Sequence, residues 1–196
     1  MKKYLLLLLG ALTASPAEAA LLADNGAPSP DAGAVASNFA GGDPEYAFQS
    51  ADDFQLAATS TITLVRWWGF YQGSNIPLEP DVFTLRIFAD NAGSPAIAPL
   101  SEWHLDKVHR RATGLVSSGY DVYEYTATLK PRLALPPGTH WLSIVNDVDT
   151  ESVGTDWLWM LSDNAGGNFA ARFSDGTPWQ SLHPFTLAFQ INGVAR

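Results

Sequence analysis

The sequence predicts an all-β fold: two antiparallel sheets packed face to face in a jelly-roll-like sandwich. Three observations predict it. Apolar and polar residues alternate with period 2 through most of the stretch from Asp52 to Ile191. Turn sequences such as Asp90-Asn91-Ala92-Gly93-Ser94-Pro95, Pro136-Pro137-Gly138, Asp163-Asn164-Ala165-Gly166-Gly167 and Asp175-Gly176-Thr177-Pro178 interrupt that alternation at short intervals. No stretch sustains the 3.6-residue period of an amphipathic helix.

Taken in order, the chain opens with the three parts of a secretory signal over residues 1–19. Lys2 and Lys3 give the basic start, Leu5–Leu9 and the residues to Thr13 the apolar core, and Ala17-Glu18-Ala19 the small-x-small cleavage site. The apolar core is too short for a bilayer span, which takes about 20 residues. No Cys follows it, which excludes a bacterial lipid-anchored form. The expected product starts at Ala20, is soluble without a membrane span, and works in the periplasm or outside the cell.

Residues 20–45 are rich in Ala, Gly, Pro, Ser and Asn and read as a loosely ordered lead-in, with one short strand near Val35 to Phe39. The sandwich domain is expected over residues 46–193. Ala51-Asp52-Asp53-Phe54 opens it. Residues 62–71 are apolar on both faces from Val65 onward, which predicts a central strand or a bulge near Arg66. Trp68 shares a face there with Ile62, Leu64 and Phe70 and is assigned to the core. In residues 82–89, Phe83, Leu85 and Ile87 oppose Thr84 and Arg86. In residues 120–129, Tyr123, Tyr125, Ala127 and Leu129 share one face. In residues 185–192, Phe185, Leu187, Phe189 and Ile191 oppose Thr186, Gln190 and Asn192. Such alternation predicts one buried and one wet face. Residues 105–111 fit either a helical turn or polar strand and loop. The core is expected to hold Phe54, Leu64, Trp68, Leu85, Ile87, Leu142, Ile144, Leu187 and Phe189, with Phe83, Tyr125 and Ile191 beside them.

Bulk chemistry narrows function. The chain has no Cys, so burial or a metal, and not disulfides, must stabilise an exported domain. Its net charge of -9 repels phosphate backbones and argues against nucleic acid as a partner.

The order of motifs carries a resemblance. An Ala-Asp-Asp-Phe strand is followed by Trp-Gly-x-Tyr, then Phe-x-Leu-x-Ile-Phe-x-Asp running into Asn-x-Gly-x-Pro. Pro-Gly-x-x-Trp-Leu-Ser-Ile, Trp-x-Trp and Phe-x-Leu-Ala-Phe-x-Ile-x-Gly complete it. This resembles a secreted bacterial β-sandwich domain of the kind found in PEP-CTERM-type exported proteins. The resemblance implies an extracellular, non-catalytic module and brings no ligand or catalytic residue. The sorting tail is absent after Gly193-Val194-Ala195-Arg196, so free export is expected instead of anchoring by that route.

No catalytic set is coherent. There is no Gly-x-Ser-x-Gly and no His-Glu-x-x-His; the histidines are His104, His109, His140 and His183. His104 and His109 lie five apart and do not form a helical zinc pair. Asp147-Val148-Asp149-Thr150-Glu151 has the alternating carboxylates of a sandwich glycosidase, although a loop is the simpler reading. Calcium is the ion best suited to such loops, with Asp52, Asp53, Asp147 and Asp149 as metal candidates; Asp90, Asn91, Asp163 and Asn164 fit turn chemistry as well.

Sugar binding would rest on flat aromatic faces. Trp67, Tyr71, Trp157, Trp159 and Trp179 are the candidate ligand-binding residues, with Trp103 also considered. Trp157 and Trp159 oppose Leu158 and Met160 on one strand, so one pair is expected to be less buried unless the strand is central. The function expected is therefore an exported, non-catalytic sandwich with a binding or matrix role, including glycan binding through exposed Trp. The alternatives are an acid-dependent glycan hydrolase using the loop carboxylates and a purely structural envelope or biofilm component.

Overall fold

The alternating segments become strands that pair mostly with partners distant in sequence. A computed structural model describes residues 19–38, 48–77, 81–147, 155–164, 166–182 and 184–196. Among these residues the elements are β1 (Ala20–Asp24), β2 (Ala34–Ala36), β3 (Gln49–Leu56), β4 (Ser60–Gln72), β5 (Phe83–Ala89), β6 (Ser101–Leu105) and β7 (His109–Ser117). They continue with β8 (Tyr120–Leu135), β9 (Gly138–Asn146), β10 (Asp156–Met160), β11 (Phe169–Arg172), β12 (Gln180–Leu182) and β13 (Phe189–Ala195). Segment 105–111, open between two readings in the sequence, is strand, loop and strand.

Two antiparallel sheets pack against each other, as the alternation predicts. The first is organised around β4. On one side β4 pairs with β8, which pairs in turn with β7. On its other side β13 and β10 lie end to end, the first beside Ser60–Trp67 and the second beside Gly69–Gln72. β1 extends β13 and β2 extends β10. The second sheet runs β12-β11-β3-β9-β5-β6. The chain crosses repeatedly between the sheets, giving the jelly-roll-like connectivity.

The lead-in is not loose where it is described. Ala20–Asp24 pairs with β13, and Ala34–Ala36 pairs with β10. These short strands lack alternation of their own because they take their register from longer partners. Backbone hydrogen bonds reward them even where the side chains carry no pattern.

Between the sheets, Phe54, Phe83, Leu85, Ile87, Tyr125, Leu142, Ile144, Leu187, Phe189 and Ile191 are buried in one core. Two assignments change. Trp67, not Trp68, faces this core; Trp68 lies on the outer side of the first sheet with Phe70, Val122, Met160 and Ala188. Leu64 is only partly buried. The cause is an irregularity between Ile62 and Leu64 in the pairing with β8. One extra residue reverses the parity of everything after it, so Ile62 faces the core together with Val65 and Trp67. The disruption lies nearer Thr63 than the expected Arg66. At the other end, Phe185 falls before β13 and is 48% exposed, although its period matches Leu187.

No helix among the described residues is long and apolar enough to cross a membrane. Leu187→Ala should lower unfolding free energy by about 2–5 kcal/mol, the range for emptying a fully buried Leu site. Gln190→Ala, at a partly buried polar position, should change it by less than about 0.5 kcal/mol. Urea midpoints of the two variants check this. Gly69 has a different constraint: a Cβ there would stand 2.4 Å from Trp157 Cζ2 and 2.6 Å from the Leu158 carbonyl oxygen. Gly69→Ala should therefore destabilise by about 1–3 kcal/mol through overpacking, read from the same urea curves.

Candidate functional site

The structure removes most of the expected aromatic platform. Trp67, Tyr71, Trp157 and Trp159 are all buried between the sheets and offer no face to a sugar. The expectation of an exposed Trp pair on β10 fails because β10 is flanked by both β4 and β2. Its Leu158–Met160 side is closed by the Trp68–Phe70–Val122–Ala188 cluster. Trp103 is also buried, its Nε1 donating to the Pro131 carbonyl at 2.9 Å. Only Trp179 remains partly exposed.

Of the expected metal ligands, Asp52 and Asp147 are engaged within the fold. Asp52 is fully buried. Its Oδ1 accepts the Asp53 N–H at 2.8 Å, and its Oδ2 accepts the Leu187 N–H at 2.5 Å and Asn25 Nδ2 at 3.4 Å. β3 belongs to the second sheet and Leu187 leads into the first, so this carboxyl links the two. Burial pushes its pKa up to about 7, against the lowering effect of the Leu187 N–H. Asp53 is raised as well, first by burial. Asp147 accepts the Thr84 hydroxyl at 2.7 Å, and burial raises it too. Asp149 and Glu151 lie outside the described residues, as does His183. Among the described residues no group of three or more His, Asp or Glu side chains is placed to hold a metal. His104 and His109 fall on β6 and β7, in different sheets.

A site that the sequence did not announce lies on the outer face of the second sheet. On β5 the inward residues Phe83, Leu85 and Ile87 leave Thr84, Arg86 and Phe88 pointing outward. That face is not wet. Arg86 is 5% exposed and Phe88 fully buried, because chain from the β5–β6 and β11–β12 connections folds across it. Arg172 Nη1 donates to the Ile97 carbonyl at 3.0 Å, and Trp179 Nε1 to the Ala96 carbonyl at 3.2 Å. Trp141 Nε1 reaches Asp90 Oδ1 at 2.9 Å.

Beneath this cover two arginines meet. Arg86 donates through Nε to Glu102 at 2.5 Å, through Nη2 to Asp175 at 3.3 Å, and through Nη1 to Gln49 Oε1 at 3.4 Å. Arg172, 3% exposed, donates through Nε to Gln49 Oε1 at 2.8 Å and through Nη2 to Asp175 Oδ1 at 2.6 Å. Its guanidinium centre lies 4.3 Å from the Trp179 ring and 5.4 Å from Phe88, stacking geometry that suits arginine. Burial lowers the Arg172 pKa, and nearby Arg86 adds to that effect, while Asp175 opposes it. The row continues along β6: Glu102 Oε1 contacts His104 Nε2 at 3.2 Å, and His104 Nδ1 contacts the Thr84 hydroxyl at 2.9 Å.

Arg86, Arg172, Glu102 and Asp175, with Ile97, Ala98, Pro99 and Gly176, line a cavity of about 300 Å3. The arginines form its charged floor. The two carboxylates remain 36% and 53% exposed, so their outer lone pairs are open to an incoming donor.

Arg86 was legible as the outward residue of an alternating strand. Nothing local in Phe169-Ala170-Ala171-Arg172 or Asp175-Gly176-Thr177 signals that these residues close on β5, some ninety positions away in sequence. Comparison of the chain with family models, with curated proteins and with solved structures finds no match.

Asp52 makes stability depend on pH. Its folded pKa of about 7 lies above the ordinary aspartate value of 3.8. Between those values the folded protein keeps the proton and the unfolded chain releases it, so stability is greatest near the lower value and falls as pH rises toward 7. Asp53 and Asp147 act in the same direction. Urea midpoints between pH 4.5 and 7.5 should decline for the native protein and decline less for Asp52→Asn.

Proposed function

We propose that this is an exported, non-catalytic β-sandwich protein whose role is binding outside the cytoplasm, with a glycan as ligand and the Arg86–Arg172 cavity as its site. The observation that carries the reading is the cavity itself. A concave pocket with converging polar groups and an apolar wall is the form that small-ligand sites take. Its polar groups are pre-set by ion pairs and by stacking of Trp179 on Arg172, so little ordering accompanies binding. Trp179, the one sugar-binding candidate left partly exposed, stacks on Arg172, which lines the cavity. The signal sequence and the resemblance to PEP-CTERM-type exported sandwiches favour action outside the cell.

A hydrolytic role has less support. Asp147 is engaged by the Thr84 hydroxyl, and Asp149 and Glu151 lie outside the described residues. The carboxylates of the cavity, Glu102 and Asp175, are both held on one guanidinium.

Two measurements test the proposal. On an array of microbial and plant polysaccharides the protein should be retained by a subset, and Arg172→Met, which removes the floor of the cavity but keeps its volume, should abolish that retention. Incubation with the retained polysaccharide should release no reducing ends. Absence of any retention sinks the binding reading, and release of reducing ends would replace it with the hydrolase.

A further inference from the structure

We infer that the cavity takes a single neutral sugar ring, hydrogen-bonded through its hydroxyls to Glu102 and Asp175, and not a uronate or other anion. The inference rests on the glycan-binding reading and specifies the ligand class of that site.

The volume of the cavity suits one ring. About 300 Å3 is at the lower end of small-ligand sites. The walls then match the two-sided character of a pyranose. Ile97, Ala98 and Pro99 form an apolar side, with Ile97 56% exposed. The opposite side presents the part-exposed carboxylates of Glu102 and Asp175 as acceptors. A sugar ring has the complementary form, a carbon–hydrogen face and an edge of hydroxyl donors.

Charge decides between neutral and acidic rings. Each arginine already donates through Nε, Nη1 and Nη2, to Glu102, Asp175, Gln49 and the Ile97 carbonyl. The two positive charges are matched by the two carboxylates. An incoming carboxylate would add a third negative charge beside two arginines already matched by two acids, in a protein of net charge -9. A hydroxyl adds no charge. It donates to a carboxylate lone pair that faces solvent, and such charge-assisted bonds are about twice as strong as neutral ones.

The test is calorimetric titration with methyl glycosides of neutral hexoses and with the matching uronates, at low and at physiological salt. Neutral glycosides should bind with little salt dependence. Glu102→Gln and Asp175→Asn should each weaken them by about tenfold or more, since an amide exchanges a charged acceptor for a donor. A melting curve of each variant establishes that it is folded. If Glu102→Gln unfolds with the loss of its Arg86 partner, Asp175→Asn, on a solvent-facing turn, carries the test. Tighter binding of uronates, weakened by salt, would overturn the neutral class while leaving the glycan reading intact. Retention on polysaccharide without binding of any monosaccharide overturns the single-ring ligand. Unchanged affinity in both folded variants places the ligand elsewhere, and no binding to glycosides or polysaccharides removes both readings.

Discussion

The contact of Trp157 with the bare backbone of Gly69 is the constraint on which the rest of this sandwich depends. Without a Cβ on β4, the indole ring can lie against the neighbouring strand and still reach across to the second sheet. There it meets Phe83 edge-on at 5.1 Å between ring centroids, while within its own sheet it meets Tyr125 edge-on at 6.1 Å; Phe83 in turn meets Trp67 at 5.3 Å. These large rings bury the apolar area that a chain without disulfides requires. They also explain why a sequence rich in tryptophan presents so little of it to solvent.

The consequence for function is indirect. With the aromatic residues committed to the interior, recognition falls to polar groups, and these gather where the second sheet is covered on its outer face. Thr84, Arg86, Glu102 and His104 are brought side by side by the β5–β6 pairing. Arg172 and Gln49 are brought together by the β11–β3 pairing. Asp175, on the turn after β11, joins the two groups by accepting from both arginines. Two like charges so close together and so well buried persist only because carboxylates compensate them. The same compensation leaves the cavity electrically balanced, inside a protein that is acidic as a whole.

Asp52 belongs to the architecture rather than to the site. Its carboxyl replaces a missing ladder partner for the Leu187 N–H at the junction of the sheets, and it receives Asn25 from the chain leading out of β1. One side chain thus couples the N-terminal strand, the second sheet and the approach to the last strand. An acid at this position ties the stability of the sandwich to pH because the group that completes the hydrogen bonding is also the one most deprived of water.

The sequence by itself determined the fold class and most of the core. Period-2 alternation in residues 82–89, 120–129 and 187–191 states which side chains point inward, and the burial of Leu85, Ile87, Tyr125, Leu187 and Phe189 follows from it. Tertiary structure decided what alternation cannot encode. The parity of β4 turned on one irregular pairing near Thr63, which exchanged the places of Trp67 and Trp68. The strand at Ala20–Asp24 exists because β13 offers it an edge, not because of its own composition. Whether an outward face is wet depends on loops that cross it, so Arg86 became a buried floor and not a surface charge. The cavity joins Arg86, Glu102, Arg172 and Asp175 through pairings between strands far apart in the chain. A local pattern reports a side chain's direction, but only the assembled sheets determine what it meets there.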